Sequence, residues 1–314
     1  MYYFIVNLSG GSGNAKNTWK TVRKLMNQKG IRYKAYVTKY EKHASLLARK
    51  ISMLDDEDLR LVVVGGDGTI NEVINGIQDF HKVKMGVIPT GSANDFARGL
   101  KLPNHTGKAL EKILASDGNL NIDLGQVTSG NGKKHLFGIS SGIGMDAIVC
   151  KKVQGSLQKK ILNQLHLGNM VYVLMTIQTL FSMKKYKVSI FIEGYNEHIF
   201  QTEQTMHFQD LIFLAGMNLP AEGGGVLMAP EANVNDGMLS ICAINGLPKW
   251  RAFLLLPLLV AGKHTSCNGV NIFNTSSLTL QSEIPMVLHT DGEYIGDVTV
   301  LKMEILPSIL RILI

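Results

Sequence analysis

Apolar and polar positions follow two different rhythms along the chain, and the change falls after about residue 120. YYFIVN (2–7) is a short unbroken apolar run that ends in the glycine loop LSGGSGN, as a buried strand does. Residues 15–29 carry a helical repeat closed by Gly30 as a C-cap. RYKAYVT (32–38) reads as a strand, 41–53 as a helix, and LRLVVVG (59–65) as a fully buried strand. A further helix starts near Thr69, MGVIP (85–89) is the next strand, and NDFARGL opens another helix. Strand and helix alternating at short intervals predict a parallel sheet with flanking helices.

Beyond residue 120 the runs NIDLGQV, KKHLFGISSG, KVSIFIEG, HIFQTEQ, DLIFLAG, GMLSICAI, SLTLQS and PMVLHTDGE read as successive strands joined by short turns. The pattern predicts an α/β N-terminal domain over 1–125. It then predicts a β-rich, antiparallel, sandwich-like domain over 126–302, with a helical insertion at 157–182. The apolar tail, 303–314, is expected to pack back on the first domain.

Composition sharpens this picture. A chain of 314 residues, 45% hydrophobic and 18% charged, can bury two cores and should be globular throughout. Cys150, Cys242 and Cys267 have neither metal-ligand nor disulfide spacing, which suits a reducing cytosol. The first residues lack a basic leader, and the most apolar window, AFLLLPLLVAG (252–262), is too short to span a bilayer and contains Pro257. A cytoplasmic protein, soluble or peripheral to a membrane, is expected.

The net charge of +7 is unevenly placed. No carboxylate occurs between Asp146 and Glu193, whereas Lys151, Lys152, Lys159, Lys160, Lys184, Lys185 and Lys187 do. The segment is either a solvated helix face or a patch for an anionic membrane, where each lysine contributes on the order of 1 kcal/mol. Nucleic acid is not expected, because no binding motif accompanies the charge. Apolar clusters within 157–182 suit core packing or an amphipathic face on a bilayer.

The candidate chemistry begins at VVVGGDGTINEVING (62–76). A buried strand delivers three glycines and one aspartate to the carboxyl edge of the sheet, where open α/β folds bind ligands. Glycines let the backbone approach a ligand, and amides at the following helix start can hold phosphate. Asp67 would repel that phosphate, so a divalent cation between them is expected; the alternative is a helix N-cap. VIPTGSANDFARG repeats the arrangement one strand later, with Asp95 placed 28 residues after Asp67. Asp123 in NIDLG is a third carboxylate. Convergence of the three requires a shared cation or proton; N-capping for Asp95 and a turn for Asp123 are the alternatives. GISSG (138–142) matches a nucleophile elbow without an oxyanion loop or triad partners. GIGMDA (142–147) lacks the later acidic residue of a dinucleotide fingerprint.

NLSGGSG (7–13), GGDGTINEVING (65–76) and PTGSANDFAR (89–98) together resemble the diacylglycerol kinase catalytic domain family of lipid kinases. GIGMDA, PEANVNDGML (230–239) and TDGE (290–293) follow in the family's order. The chain is similar to the soluble bacterial members. GGDGT alone also occurs in NAD kinases and phosphofructokinases, whereas NDFAR with a downstream DGE points to lipid.

The resemblance implies that Asn7, Leu8, Ser9, Gly10 and Gly11 cradle ATP phosphates and that Thr38 helps hold the nucleotide. Gly65, Gly66, Asp67, Gly68, Thr69, Ile70, Asn71 and Glu72 would form the main phosphate loop, with Ser92 contributing from the next turn. It also implies a magnesium-and-water network at Asp67, Asp95 and Asp123, and a structural magnesium at Asn233, Asp236 and the Met238 carbonyl. Asp291, or its neighbour Glu293, is the implied general base. Leu8 stands where the family has proline, and Ser92 where it has threonine; the hydroxyl is retained.

The implied activity is ATP- and Mg2+-dependent phosphorylation of diacylglycerol to phosphatidic acid, with lipid entering between the domains. Phosphatidylglycerol or a sphingoid base are alternative acceptors. A soluble-metabolite kinase such as NAD kinase, or a non-catalytic nucleotide-binding regulator, are rival readings. The expected partners are a membrane lipid and an anionic membrane surface met through Lys-rich 151–187 at the inner face of the cell membrane. A homodimer through edge strands of the second domain is possible in geometry.

Overall fold

The computed structural model describes residues 1–9, 14–154, 168–193 and 204–314. The chain divides into two compact units, Met1–Leu124 with Pro307–Ile314, and Gly125–Leu306.

The first unit is built on a parallel sheet. β1 (Tyr2–Val6), β3 (Leu59–Gly65) and β4 (Val83–Pro89) are nearly continuous apolar runs, as strands covered on both faces must be. β2 (Tyr33–Val37) alternates partly exposed residues and occupies the edge. The order is β2-β1-β3-β4, and Arg311 and Ile312 of the C-terminal strand add beside Lys84 and Met85 of β4. Because β2 lies on one side of β1 and β3 on the other, the chain reverses direction across the sheet there. The carboxyl ends of β1 and β3 therefore form a topological switch point, the ligand-binding edge of such sheets.

α1 (Asn14–Gln28) buries Trp19, Val22 and Met26 in one cluster with Phe4, Val62 and Ile88, and α2 (His43–Ser52) buries Leu47 and Ile51. α3 (Asp67–Ile74) follows β3 directly, and the NDFARGL helix is a single short turn, α4 (Asp95–Gly99). α5 (Thr106–Ala115) was not legible from the sequence, since its N-cap is His105, whose Nδ1 accepts the Lys108 N–H, in place of Ser, Thr, Asp or Asn. It seals the sheet with Leu110 and Ile113.

The second unit is antiparallel. The strands are β5 (Leu120–Ser129), β6 (Lys134–Phe137), β7 (Ser140–Gly144), β8 (Tyr186–Glu193), β9 (Gln204–Met217), β10 (Leu239–Asn245), β11 (Val270–Thr275), β12 (Ser277–Thr290) and β13 (Glu293–Ile312). Both β5 and β13 cross the boundary between the units. The order is β11-β10-β9-β7-β12-β13, with β8 pairing β9 and β12, and β5 pairing β6 and β13. Its core gathers Ile143, Phe213, Leu214, Leu280, Leu288 and Met303. α6 (Met145–Gln154), α7 (Gly168–Ser182) and α8 (Lys249–Val260) complete it.

Two expectations change here, and one is met with a shifted start. SLTLQS and PMVLHT are one strand, β12, not two; Pro285, which cannot donate to a ladder, sits where the register with β13 jumps between Gln281 and Met286. The apolar tail is the end of the 20-residue β13, and belongs to the first unit from Pro307. The window 252–262 is mostly a helix, α8, absent from the strand-by-strand reading. Of the predicted strand HIFQTEQ only Gln204 is among the described residues, and of the helical insertion only 168–182.

Candidate active site

At the switch point, the Asn7 N–H donates to the Val64 carbonyl (2.9 Å), and Asn7 Nδ2 donates to Thr69 Oγ1 (2.9 Å). Asn7 Oδ1 also accepts the Ser9 N–H (3.0 Å), so one side chain ties the loop after β1 to the start of α3. Thr38 arrives at the same edge, its N–H on the Val6 carbonyl (2.9 Å). Leu8 is half-buried; Gly10 and Gly11 lie outside the described residues.

The glycines after β3 prove necessary for a different reason from the one expected. None of Gly65, Gly66 and Gly68 has a positive φ. A Cβ on Gly66 would lie 2.8 Å from the Gly91 Cα, and one on Gly91 would lie 2.7 Å from the Gly66 Cα. The loops after β3 and β4 thus pass back to back at a distance that excludes any side chain. Asn94 closes the second loop, accepting the Gly91 N–H (2.8 Å) and donating to the Gly91 carbonyl (2.9 Å), from a left-handed conformation (φ 53) that asparagine tolerates. Beside it lies a polar cavity of about 360 Å³, with Asn14, Thr90, Ser92, Arg98 and Asn104 in its wall. Thr90 Oγ1 is buried with no hydrogen-bond partner. Ser92 is exposed, ready for a ligand, whereas Asn14 and Asn104 had no sequence signal.

Asp67 is tied to the backbone at the start of α4. Its oxygens accept the N–H groups of Asp95 and Phe96 (3.1 Å each), so it caps α4 from across the gap. Burial pushes its carboxyl above the usual range, opposed by those two N–H groups and the Arg98 charge. Asp95, 4% exposed, forms a short ion pair with Arg98, which also donates to the Ala93 carbonyl (2.7 Å). Asp123 accepts the Ser308 N–H (2.6 Å) from the C-terminal strand. Arg98 pairs with Asp95, and backbone N–H groups meet Asp67 and Asp123. Among the described residues these three carboxylates do not gather three ligand atoms at one point, so a magnesium here would be held by fewer than three of them, with water and phosphate oxygens completing its shell.

Other predicted phosphate-loop residues serve the scaffold. Glu72 accepts the N–H groups of Lys42 (2.9 Å) and Ala44 (3.0 Å) and so caps α2. Ile70 is core, and Asn71, 4% exposed, bonds through its own side chain and carbonyl to Asn75.

In the second unit, Asp291 and Gly292 form the two-residue turn between β12 and β13, both with positive φ (47 and 80). Asp291 Oδ1 accepts the N–H groups of Ile139 (2.8 Å) and Ser140 (3.1 Å), and Oδ2 accepts that of Gly138 (3.0 Å). Its own N–H donates to the Ser140 carbonyl (2.8 Å). The expected base is therefore also an anchor that holds the turn against the start of β7. Glu293 is half-buried on the far side of the turn.

Sequence reasoning missed the group beneath this turn: His289, Asp146 and Glu222, whose ligand atoms all lie within 4.8 Å of one another. His289 Nε2 is 3.0 Å from Asp146 Oδ2, and Glu222 takes a short hydrogen bond from Ser140 Oγ. Burial opposes the imidazolium of His289, but the hydrogen bond and charge of Asp146, with Glu222 and Asp291 behind, outweigh it and raise the pKa to about 9. The Gly292 N–H points at Nδ1 (3.3 Å), a bond open only to the neutral ring. Where Nδ1 accepts this N–H, the ring hydrogen lies on Nε2, toward Asp146. The signals were present in HTDGE and GIGMDA, but GIGMDA was read against a dinucleotide fingerprint and as a family match, with no role for Asp146. The serines of GISSG are buried, Ser141 Oγ donating to the His289 carbonyl (2.7 Å), which is no nucleophile elbow.

Asp236 Oδ1 accepts the Met238 N–H (2.9 Å) in an exposed turn that also carries Asn233, so the proposed structural-metal residues share one loop. The lysine-rich segment is less exposed in its chemistry than its sequence suggests. Lys151 pairs with Asp297 (3.0 Å) over the Tyr294 ring, Lys152 donates to Thr179 (3.0 Å), and Lys185 pairs with Asp210 (3.3 Å). Lys159 and Lys160 lie outside the described residues. Among the described residues no helix is long and apolar enough to cross a membrane.

Comparison with known proteins agrees with this architecture. Residues 1–127 match the family described as diacylglycerol kinase catalytic domain. Residues 140–314 match the YegS C-terminal NAD kinase beta sandwich-like domain. The chain is 30% identical to "Putative lipid kinase YtlR" of Bacillus subtilis over 314 residues, 99% of this chain and 98% of the relative. It is 29% identical to the diacylglycerol kinase of Staphylococcus saprophyticus, covering 93% and 88%. A crystal structure titled as a putative diacylglycerol kinase from Bacillus anthracis superposes with a TM-score of 0.75 at 20% identity, covering 99% and 96%. An NAD kinase from Archaeoglobus fulgidus, in complex with ATP, shares the fold more distantly, with a TM-score of 0.53 at 11% identity and coverage of 100% and 94%.

Proposed function

The chain belongs to the diacylglycerol kinase family of lipid kinases, and from that premise we propose that it transfers the γ-phosphate of ATP to the free hydroxyl of diacylglycerol, giving phosphatidic acid and ADP. The observation that carries the reading is the set of loops after β1, β3 and β4. Asn7 is locked to Thr69, Gly66 runs against Gly91, and a polar cavity containing Arg98 and Ser92 opens beside them. Such an arrangement suits a polyphosphate, since backbone N–H groups and one guanidinium can meet its oxygens without a side chain in the way.

In the reaction, the acceptor oxygen bonds to the γ-phosphorus as the bond to the β–γ bridging oxygen breaks, and the hydroxyl proton passes to a carboxylate. We assign that carboxylate to Asp291. A positioned base typically contributes 10²–10⁴-fold. Glu293 is the second candidate, favoured by the three backbone N–H groups that already occupy Asp291. Magnesium enters as the Mg·ATP substrate, and no step is routed through a protein-bound ion.

The test is to incubate the protein with γ-labelled ATP, magnesium and mixed-lipid vesicles, then identify the product. Labelled phosphatidic acid is expected. Label in phosphorylated phosphatidylglycerol or a sphingoid base would reassign the acceptor, and label in a water-soluble dinucleotide would sink the lipid reading.

A further inference from the structure

α8 is apolar on two faces. Ala252, Leu255 and Leu259 are buried in the core of the second unit. Trp250, Phe253, Leu254 and Leu258, spaced as one helical stripe, face outward, with Trp250 57% and Leu254 60% exposed. The stripe continues onto α7, where Leu174 and Phe181 are 60% and 51% exposed and the Phe181 ring lies 6.1 Å from that of Phe253. Lys249 fixes the two helices together, its Nζ donating to the carbonyls of Phe181 (2.7 Å) and Met183 (2.6 Å) at the end of α7. A contiguous apolar patch on a braced platform needs an occupant.

The surrounding charge says which. Neither helix carries a carboxylate, and none occurs from Ala147 to Ile192 or from Gly237 to Ser282. Lys184, Arg251 and Lys263 flank the patch, all exposed, with the Arg251 guanidinium over the Trp250 ring (5.1 Å). Pairing with a second copy would set this cationic rim against itself. An anionic bilayer would instead receive the apolar stripe in its acyl region and the cations among its headgroups. Tryptophan favours that boundary, and a 12-residue helix is too short to cross but long enough to lie in the interface.

We propose that the outward face of α7 and α8 docks this protein on anionic membranes, with Lys184 the member of the lysine-rich segment on its rim. The choice of a bilayer over a protein partner rests on the lipid-kinase reading, but docking is measurable without turnover.

The experiment is co-sedimentation of the full chain, without ATP, with vesicles of phosphatidylglycerol and phosphatidylcholine, compared with Leu254→Glu and Leu258→Glu. Wild type is expected to sediment with the anionic vesicles, with emission from Trp250 shifting to shorter wavelength. Trp19, at 9% exposure, is already buried and should stay silent. Each variant should bind roughly tenfold more weakly or worse, since an apolar contact is replaced by a charge. Both sites are surface positions, so unfolding midpoints should not move. Variants that sediment like wild type would overturn the proposal. A wild-type dimer that the variants abolish, without vesicle binding, would show that a second copy occupies the face. If wild type docks and the variants do not, yet no lipid is phosphorylated, the docking face stands and the kinase reading fails. If both readings hold, the variants keep wild-type turnover on a water-soluble short-chain diacylglycerol and lose it on vesicles.

Discussion

Asp291→Asn separates the anchoring bonds that the structure shows for this carboxylate from the proton transfer proposed for it. Asparagine tolerates the left-handed φ of 47 at this turn, so the backbone gives no reason for damage. The amide oxygen can replace Oδ1 and still accept from Ile139 and Ser140. The amide NH2 then replaces Oδ2 and faces the Gly138 N–H, which now sits 3.0 Å from a donor. One N–H left without an acceptor costs about 1–3 kcal/mol, and charge-assisted bonds become neutral ones. A loss of about 2 kcal/mol, with a urea m-value of about 2 kcal/mol/M, lowers the unfolding midpoint by about 1 M. The assay is urea unfolding followed by circular dichroism and by Trp250 emission, alongside turnover at saturating ATP. Turnover should also fall by about 10²-fold or more, the share of a general base. A midpoint unchanged to within about 0.2 M would refute the anchoring role. Turnover retained in Asp291→Asn but lost in Glu293→Gln would move the base to Glu293.

Gly66→Ala places a methyl 2.8 Å from the Gly91 Cα, so the loops after β3 and β4 must separate; stability should fall by about 1–3 kcal/mol and KM for ATP rise at least several-fold, an unchanged unfolding midpoint would refute the back-to-back packing, and unchanged ATP kinetics would refute the proposed phosphate role of these loops. Glu72→Gln should cost about 1 kcal/mol through the cap of α2 while leaving KM for ATP unchanged; a raised KM with an unchanged unfolding midpoint would restore Glu72 to the nucleotide. His289 should make the protein less stable in alkali. Its pKa is raised from 6.5 to about 9 by Asp146, Glu222 and Asp291 against the cost of burial, so its contribution is complete below pH 6.5 and fades as pH rises through about 9. Thermal unfolding of wild type and His289→Gln at pH 6 and pH 9.5 tests this: the difference between them should shrink at the higher pH, and parallel profiles would refute it.

The alternation of strand and helix was readable to residue 100 because buried parallel strands must be apolar and their turns must be glycine-rich or polar. α5 escaped because His105 is an unusual cap, and β12 was split because Pro285 looks like a strand break when a register shift accommodates it. Function was readable where chemistry constrains residue type locally, as in GGDGT, NDFAR and DGE. Asp67, Asp95, Asp123 and Asp291 were found from sequence, and the structure adds the hydrogen bonds that each one makes. A carboxylate in a motif does not show which N–H groups it accepts, and only the positions of α4, Ser308 and the β7 start reveal them. Likewise, Asp146, Glu222 and His289 are far apart in the chain, and a site assembled by strand pairing has no spacing to read.

By itself the sequence determined the two-part architecture, the family and the loops at the sheet edge, because each is written in contiguous residues whose backbone demands are local. The tertiary structure alone decided why Gly66 must be glycine, which carboxylates are already satisfied, and which apolar side chains of α8 face outward. Those depend on distances between segments remote in sequence, and on the fact that a helix apolar on two faces reveals its exposed one only once the other is packed.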